Sequence, residues 1–222
     1  MSSVLTRAAL AICAAGALSL PAIQAAAATY VAELVFQDGQ TGAQPAYGTV
    51  TLLEMDPFTV KVTVTLADAA SEFVQTGGPH NPFVFNTANS DTVTLLAPVD
   101  SFSDGGRGSW NSTPFGAFTN KIACCGGNGA AHGETAPLVF TVNDSAGLTV
   151  AGPADHFTTS TAGYLFAADI FDGKTGLTYN IAARDLTSIT GGIPEPQTWA
   201  MMILGFGAVG ALLRRRRGLA LT

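Results

Sequence analysis

The residues best placed to do chemistry are two adjacent cysteines. Cys124 and Cys125 precede Gly126 and Gly127, and a third cysteine, Cys13, lies far upstream. Neighbouring Cα atoms stand about 3.8 Å apart, below the usual disulfide range, so a bond between them is strained. The two glycines ease such a turn. A vicinal disulfide at a loop tip, a free pair and bonds to another chain remain the alternatives. Zinc needs two further ligands; His132 is near, but the spacing fits no zinc pattern, and no metal is assigned. Asp100-Ser-Phe-Ser-Asp104-Gly-Gly has the outline of a calcium loop. Phe102 stands where an oxygen ligand is needed and Asn111 where a glutamate is, so it reads as a polar turn. His80, His132 and His156 each lie beside Pro, Gly or Asp and read as solvated loop residues. No G-x-S-x-G elbow anchors a Ser-His-Asp triad, and any pair of carboxylates picked as glycosidase acids would be arbitrary. No catalytic residue is assigned. Trp110, Phe115 and Phe118 lie in a glycine-rich stretch, where they either cap a core, the preferred reading, or form a platform that stacks on sugars.

A different constellation stands near the C-terminus. Pro194-Glu195-Pro196 carries two prolines that fix an extended backbone, a shape a protease can grip. Trp199 to Leu213 is uncharged and almost wholly apolar, and a membrane helix is expected over 198–213. Fifteen residues span roughly 22 Å as a helix, short of a bilayer core of about 30 Å. Gly205, Gly207 and Gly210 weaken it further, so the segment suits temporary anchoring. These glycines match G-x-G-x-x-G, but no strand, βαβ unit or later acid accompanies them, and no cofactor is assigned. Arg214, Arg215, Arg216 and Arg217 form a stop that stays cytoplasmic, while Trp199 favours the opposite interface.

Motif, apolar segment and arginine cluster, in that order, resemble the PEP-CTERM sorting signal in its variant with Trp-Ala after the motif. Some schemes name the same tail an ice-binding-protein C-terminal domain, which implies nothing about ice. The resemblance implies an exosortase as handler, an integral-membrane cysteine protease. It cleaves near the motif and passes the protein to an envelope or exopolysaccharide acceptor. Gly163-Tyr-Leu-Phe-Ala-Ala-Asp-Ile-Phe171, with the upstream Cys-Cys-Gly-Gly stretch, resembles a β-rich passenger that recurs ahead of such tags and implies no activity.

The N-terminus reads as a secretory signal peptide over 1–28. Arg7 supplies the positive charge, Ala8 to Leu20 the apolar core, Pro21 its end, and Ala25 to Ala28 the small residues that a signal peptidase reads. The cut is expected after Ala28 or Ala26. Cys13 follows Ile12, where a lipoprotein needs a small residue, and is set aside.

Between these ends, residues 29–193 hold fifteen acidic and five basic side chains. A net charge of −10 repels phosphates and anionic lipid, which argues against a nucleic-acid partner. This middle region reads as all-β: a single antiparallel β-sandwich or jelly roll over 29–186, then a linker over 187–193 and the sorting signal over 194–217. Phe58 to Leu66 alternates strictly, putting Phe58, Val60, Val62, Val64 and Leu66 on one face. Further strands are expected at Tyr30–Phe36, Tyr47–Met55, Thr92–Ala97, Leu138–Asn143, Tyr164–Phe171 and Leu177–Ala183. Leu66 to Val74 is left as a short helix or loop. Gln75–Pro82 and Asp100–Pro137 are expected to be long loops, which in a small domain are commonly functional. The function expected is that of an exported, non-enzymatic envelope or matrix component. It would be processed by signal peptidase and exosortase, held for a time at the inner membrane, with exopolysaccharide as its surroundings. The alternatives are a carbohydrate-binding module on Trp110 and, less favoured, a hydrolase with dispersed residues.

Overall fold

In the computed structural model the described residues are 28–189, apart from 99, 126–128, 136, 149 and 151–155, together with Phe206. Their strands are β1 (Thr29–Glu33), β2 (Phe36–Gln37), β3 (Gly48–Asp56), β4 (Thr59–Leu66), β5 (Glu72–Phe73), β6 (Phe83–Thr87), β7 (Thr92–Ala97), β8 (Phe102–Asn111) and β9 (Ala117–Cys124). After a 3-10 turn at Ala130–His132 come β10 (Glu134–Thr135), β11 (Leu138–Asn143), β12 (Phe157–Thr158), β13 (Phe166–Asp172), β14 (Leu177–Ala183) and β15 (Thr187–Ser188). Every pairing is antiparallel. The expected all-β class is what the described residues show. No helix among them is long and apolar enough to cross a membrane. The segment 198–213 lies outside the described residues except for Phe206.

One sheet has six strands in the order β15-β1-β3-β4-β11-β7. The second is built around β13, which pairs with β14 and also with β5 and β6. β6 continues the second sheet to β9 and β8. The alternation in β4 explains the first sheet: Val60, Val62 and Val64 are fully buried, while Thr59, Lys61 and Thr63 are only partly covered. They meet Val50 and Leu52 of β3, Leu138, Phe140 and Val142 of β11, and the aromatics of the second sheet. Phe83 stacks on Phe166 at 6.0 Å, Phe85 packs on Phe140 at 5.4 Å, and Phe157 lies 6.1 Å from both Phe85 and Phe166. Each such pair adds about 0.5–1.5 kcal/mol beyond its buried area.

A smaller cluster, Val84, Phe115, Phe118, Ala167 and Ala182, covers the other face of the second sheet, joined by Phe36, Trp110 and Tyr164. The second sheet is therefore covered on both faces at its centre. All five residues of β6 are buried, as are Phe166 to Ile170.

Several expectations need correction. Asp100–Pro137 is not a loop but chiefly the long hairpin β8–β9, with bulges between Asp104 and Arg107 and between Arg107 and Trp110. β8 runs along the sheet edge with most of its side chains in solvent, so it carries no apolar alternation to read. Gly106 takes the left-handed φ of +77° that one bulge needs. Phe58 does not share the buried face; it is 47% exposed. Its amide is captured by the Asp56 carboxylate at 2.8 Å, which turns the chain before β4 begins. Leu66 to Val74 forms no helix and includes β5. The stretch read as a linker from Thr187 begins with two residues that pair with Tyr30 and Val31 of β1.

Candidate functional site

The first and last strands are neighbours. β15 lies antiparallel to β1, the Ile189 amide donates to the Thr29 carbonyl at 2.9 Å, and the Glu54 amide donates to the Ala28 carbonyl at 2.9 Å. Leu186 packs against the main core just before β15 and holds the exit in place. The chain thus enters and leaves at one end of the six-stranded sheet. Pro194, Glu195, Pro196, Trp199 and Arg214 to Arg217 lie outside the described residues. The five residues from Ile189 to Pro194 reach at most ~18 Å however they are arranged.

Buried polar chains stand elsewhere. Asp169, on β13, is 1% exposed. Its Oδ2 accepts the Thr76 amide and the Thr76 hydroxyl, both at 2.7 Å. The same hydroxyl lies 3.1 Å from His80 Nδ1. With the Thr76 hydroxyl donating to Asp169, Nδ1 of His80 faces the hydroxyl oxygen as a donor. Asp169 Oδ1 is buried with no hydrogen-bond partner. Burial raises the Asp169 pKa, Asp38 adds to the rise, and the Thr76 bonds and His80 oppose it. A hydroxyl between the carboxylate and the imidazole reverses the order of a catalytic triad, where the imidazole is central. The arrangement ties the Gln75–Pro82 loop to β13.

A second chain joins β6, β8 and the turn after β11. The Arg107 guanidinium donates to the Thr87 hydroxyl at 3.1 Å and to the Asn89 carbonyl, and Asn89 Nδ2 donates to Asp144 at 2.7 Å. The Ala146 amide and then Asn89 hold the Asp144 pKa below the usual range. Burial pushes the Asp91 pKa up, against the pull of the Thr87 hydroxyl, and the nearby Asp144 charge adds to the rise. His156 favours the charged form of both carboxylates. Sequence reading singled out none of these carboxylates and took His80 and His156 only as solvated loop residues. Asp91, Asp144 and Asp169 have no spacing in common, and only the sheets bring their partners to them.

Of the residues singled out from sequence, Trp110, Phe115 and Phe118 share one apolar cluster, and the cysteines bond to each other elsewhere. Cys124 and Cys125 form a vicinal disulfide at the end of β9, both sulfurs near the Phe73 carbonyl, with Cys125 at a φ of +74°. Phe115 and Phe118 are 2% and 1% exposed, so a sugar-stacking platform that includes them is corrected to core packing. The Trp110 ring carries the Lys121 ammonium 3.7 Å from its centroid, and its Nε1 donates to the Gly106 carbonyl at 3.0 Å. A side chain at Gly108 would meet the indole at 3.3 Å, so the ring is in contact there as well. Asp100 to Gly106 enters β8, where Phe102 is buried and the Asp104 carboxylate accepts the Gly106 amide at 2.8 Å. His132 ends the 3-10 turn, exposed. Among the described residues no group of three or more His, Cys, Asp or Glu is placed to hold a metal ion.

A family model described as PEP-CTERM protein-sorting motif matches residues 192–217. No curated protein and no solved structure matches the chain. The chain therefore carries a PEP-CTERM sorting motif, which implies export, membrane anchoring before cleavage, and processing by an exosortase.

Proposed function

We propose that the β-sandwich is a non-enzymatic structural component of the cell envelope or its exopolysaccharide layer, delivered there by removal of the sorting tail. The observation that carries this reading is the sorting motif at 192–217, placed directly after a domain whose last strand ends at Ser188. The enzyme can reach its motif with the domain folded, because the exit is pinned by β15 and the motif follows it along the chain. The polar chains support the non-enzymatic reading. Asp169 and Thr76 secure a loop, and Arg107 and Asn89 cross-brace three elements. Acidic surface with few bases suits a hydrated glycan matrix in which cations screen the charge.

Mass spectrometry of the mature protein tests the delivery. The expected product has lost the N-terminal segment through Ala26 or Ala28 and the tail near Pro194-Glu195-Pro196. A wild-type product that still ends at Thr222 would leave only a simple anchor. Turnover of a polysaccharide that vanishes on His80→Ala would replace the structural reading with a hydrolase.

A further inference from the structure

Three large apolar side chains stand exposed at the end of the sandwich from which the tail departs. Met55 is 56% exposed, Phe58 47% and Ile189 54%. Met55 and Phe58 bracket the turn between β3 and β4. Thr29 pairs with Leu53 and accepts the Ile189 amide, which brings the exit residue to the same end of the sheet. Leu96, also exposed, lies on the far edge strand about halfway along the sheet: Leu95 pairs with Phe140, and Phe140 with Val62. The acids beside the trio are engaged by the protein itself. Asp56 accepts the Phe58 amide and Glu54 accepts the Val150 amide, both at 2.8 Å.

The tail then limits where this end can go. From Ile189 to Trp199, where the apolar segment begins, ten residues reach at most ~35 Å. An eight- or nine-residue strand such as β3 is itself about 30 Å long. While the tail is anchored, the exit end stays within about 35 Å of the apolar segment, and the far end is under no such limit. Exposed apolar side chains gathered at one place mark an interaction surface, and aromatic and long apolar chains favour the bilayer interface.

We propose that the end bearing Met55, Phe58 and Ile189 rests on the lipid surface of the membrane that holds the tail, as a second and weaker contact. This rests on the anchoring reading above. Three side chains are too few to hold an acidic domain once the tail is gone, so cleavage also ends the lipid contact. The tag therefore docks the domain and its removal frees it.

The test uses the full chain in phosphatidylcholine vesicles containing nitroxide-labelled lipid. A fluorescent amino acid is placed at position 58, 96 or 203 in separate samples. Quenching at 58 is expected to exceed that at 96 by at least threefold. Equal quenching at 58 and 96 overturns the lipid contact. Position 203 lies in the tail: absence of quenching there would instead sink the anchoring reading. Met55→Asp combined with Phe58→Asp changes exposed positions only, and quenching at a probe on 189 should fall several-fold. Shielding at 58 that requires added processing enzyme and is absent in vesicles would assign the surface to a protein partner and overturn the lipid one.

Discussion

At the scale of single residues, burial decides the roles that residue type leaves open. Asp169 shows this most clearly. Its folded pKa is raised chiefly by burial, so the native state holds the proton more tightly than the unfolded chain does. Between about pH 4, near the unfolded value, and the raised folded value, the native state binds more protons. Stability is therefore lost as pH rises through that window and levels off above it. Asp169→Asn keeps an oxygen for Thr76, places an amide at the unpartnered position and removes the buried charge. Denaturant titration should show the variant equal to or more stable than wild type at pH 7, by up to about 1 kcal/mol, with a flatter pH profile across that window. A loss of several kcal/mol at pH 7 would mean that the charge itself is needed. Phe166 is fully buried among Phe83 and Phe157, so Phe166→Ala should cost about 3–5 kcal/mol in the same assay. Trp110→Ala should lower stability by roughly 1–2 kcal/mol, since it removes a half-buried ring and its contact with Lys121. Glycan-array signals should not change; binding that disappears in this variant would revive the carbohydrate reading.

At the scale of elements, legibility follows exposure. β4 alternates because one face meets the core and the other meets solvent, and β11 and β14 were placed from sequence with the bounds they have. β6 was missed because both its faces are covered, which leaves a short run with no polar beat. β8 was missed for the opposite reason: an edge strand with three glycines and bulges buries too little to leave a pattern. β15 is only two residues long and owes its place to the partner strand, not to its own composition. Ile189→Pro removes the amide that bonds to Thr29. Hydrogen exchange should then accelerate around Tyr30 and Val31, with a stability loss of about 1 kcal/mol. Unchanged protection there would show that β15 does not hold the exit.

At the scale of the whole molecule, the pairing of first and last strands ties processing to the fold. The Glu54 amide bonds to the Ala28 carbonyl, so a mature chain that begins after Ala26 keeps this ladder bond and one that begins at Thr29 lacks it. Exchange at Glu54, read beside the N-terminal mass, should be slow in the first product and faster in the second. Fast exchange at Glu54 with Ala28 present would show that the end of the sheet frays regardless. Both ends leave the sandwich together, so a product attached through its new C-terminus would present the far end of the sheets to its surroundings.

The sequence by itself determined the sorting motif: a charged and apolar order of segments is read along the chain, and PEP, apolar run and arginine cluster need no partner strand to be recognised. It also determined the all-β class, because a period of two follows from the pleat alone. Only the tertiary structure decided what the aromatics and carboxylates do. Phe115 and Phe118 are core because a second layer covers the outer face of the second sheet, and Asp169 binds Thr76 because β13 carries it beneath the Gln75–Pro82 loop. Such contacts join residues far apart in the chain, as with Thr76 and Asp169, and no local pattern encodes them.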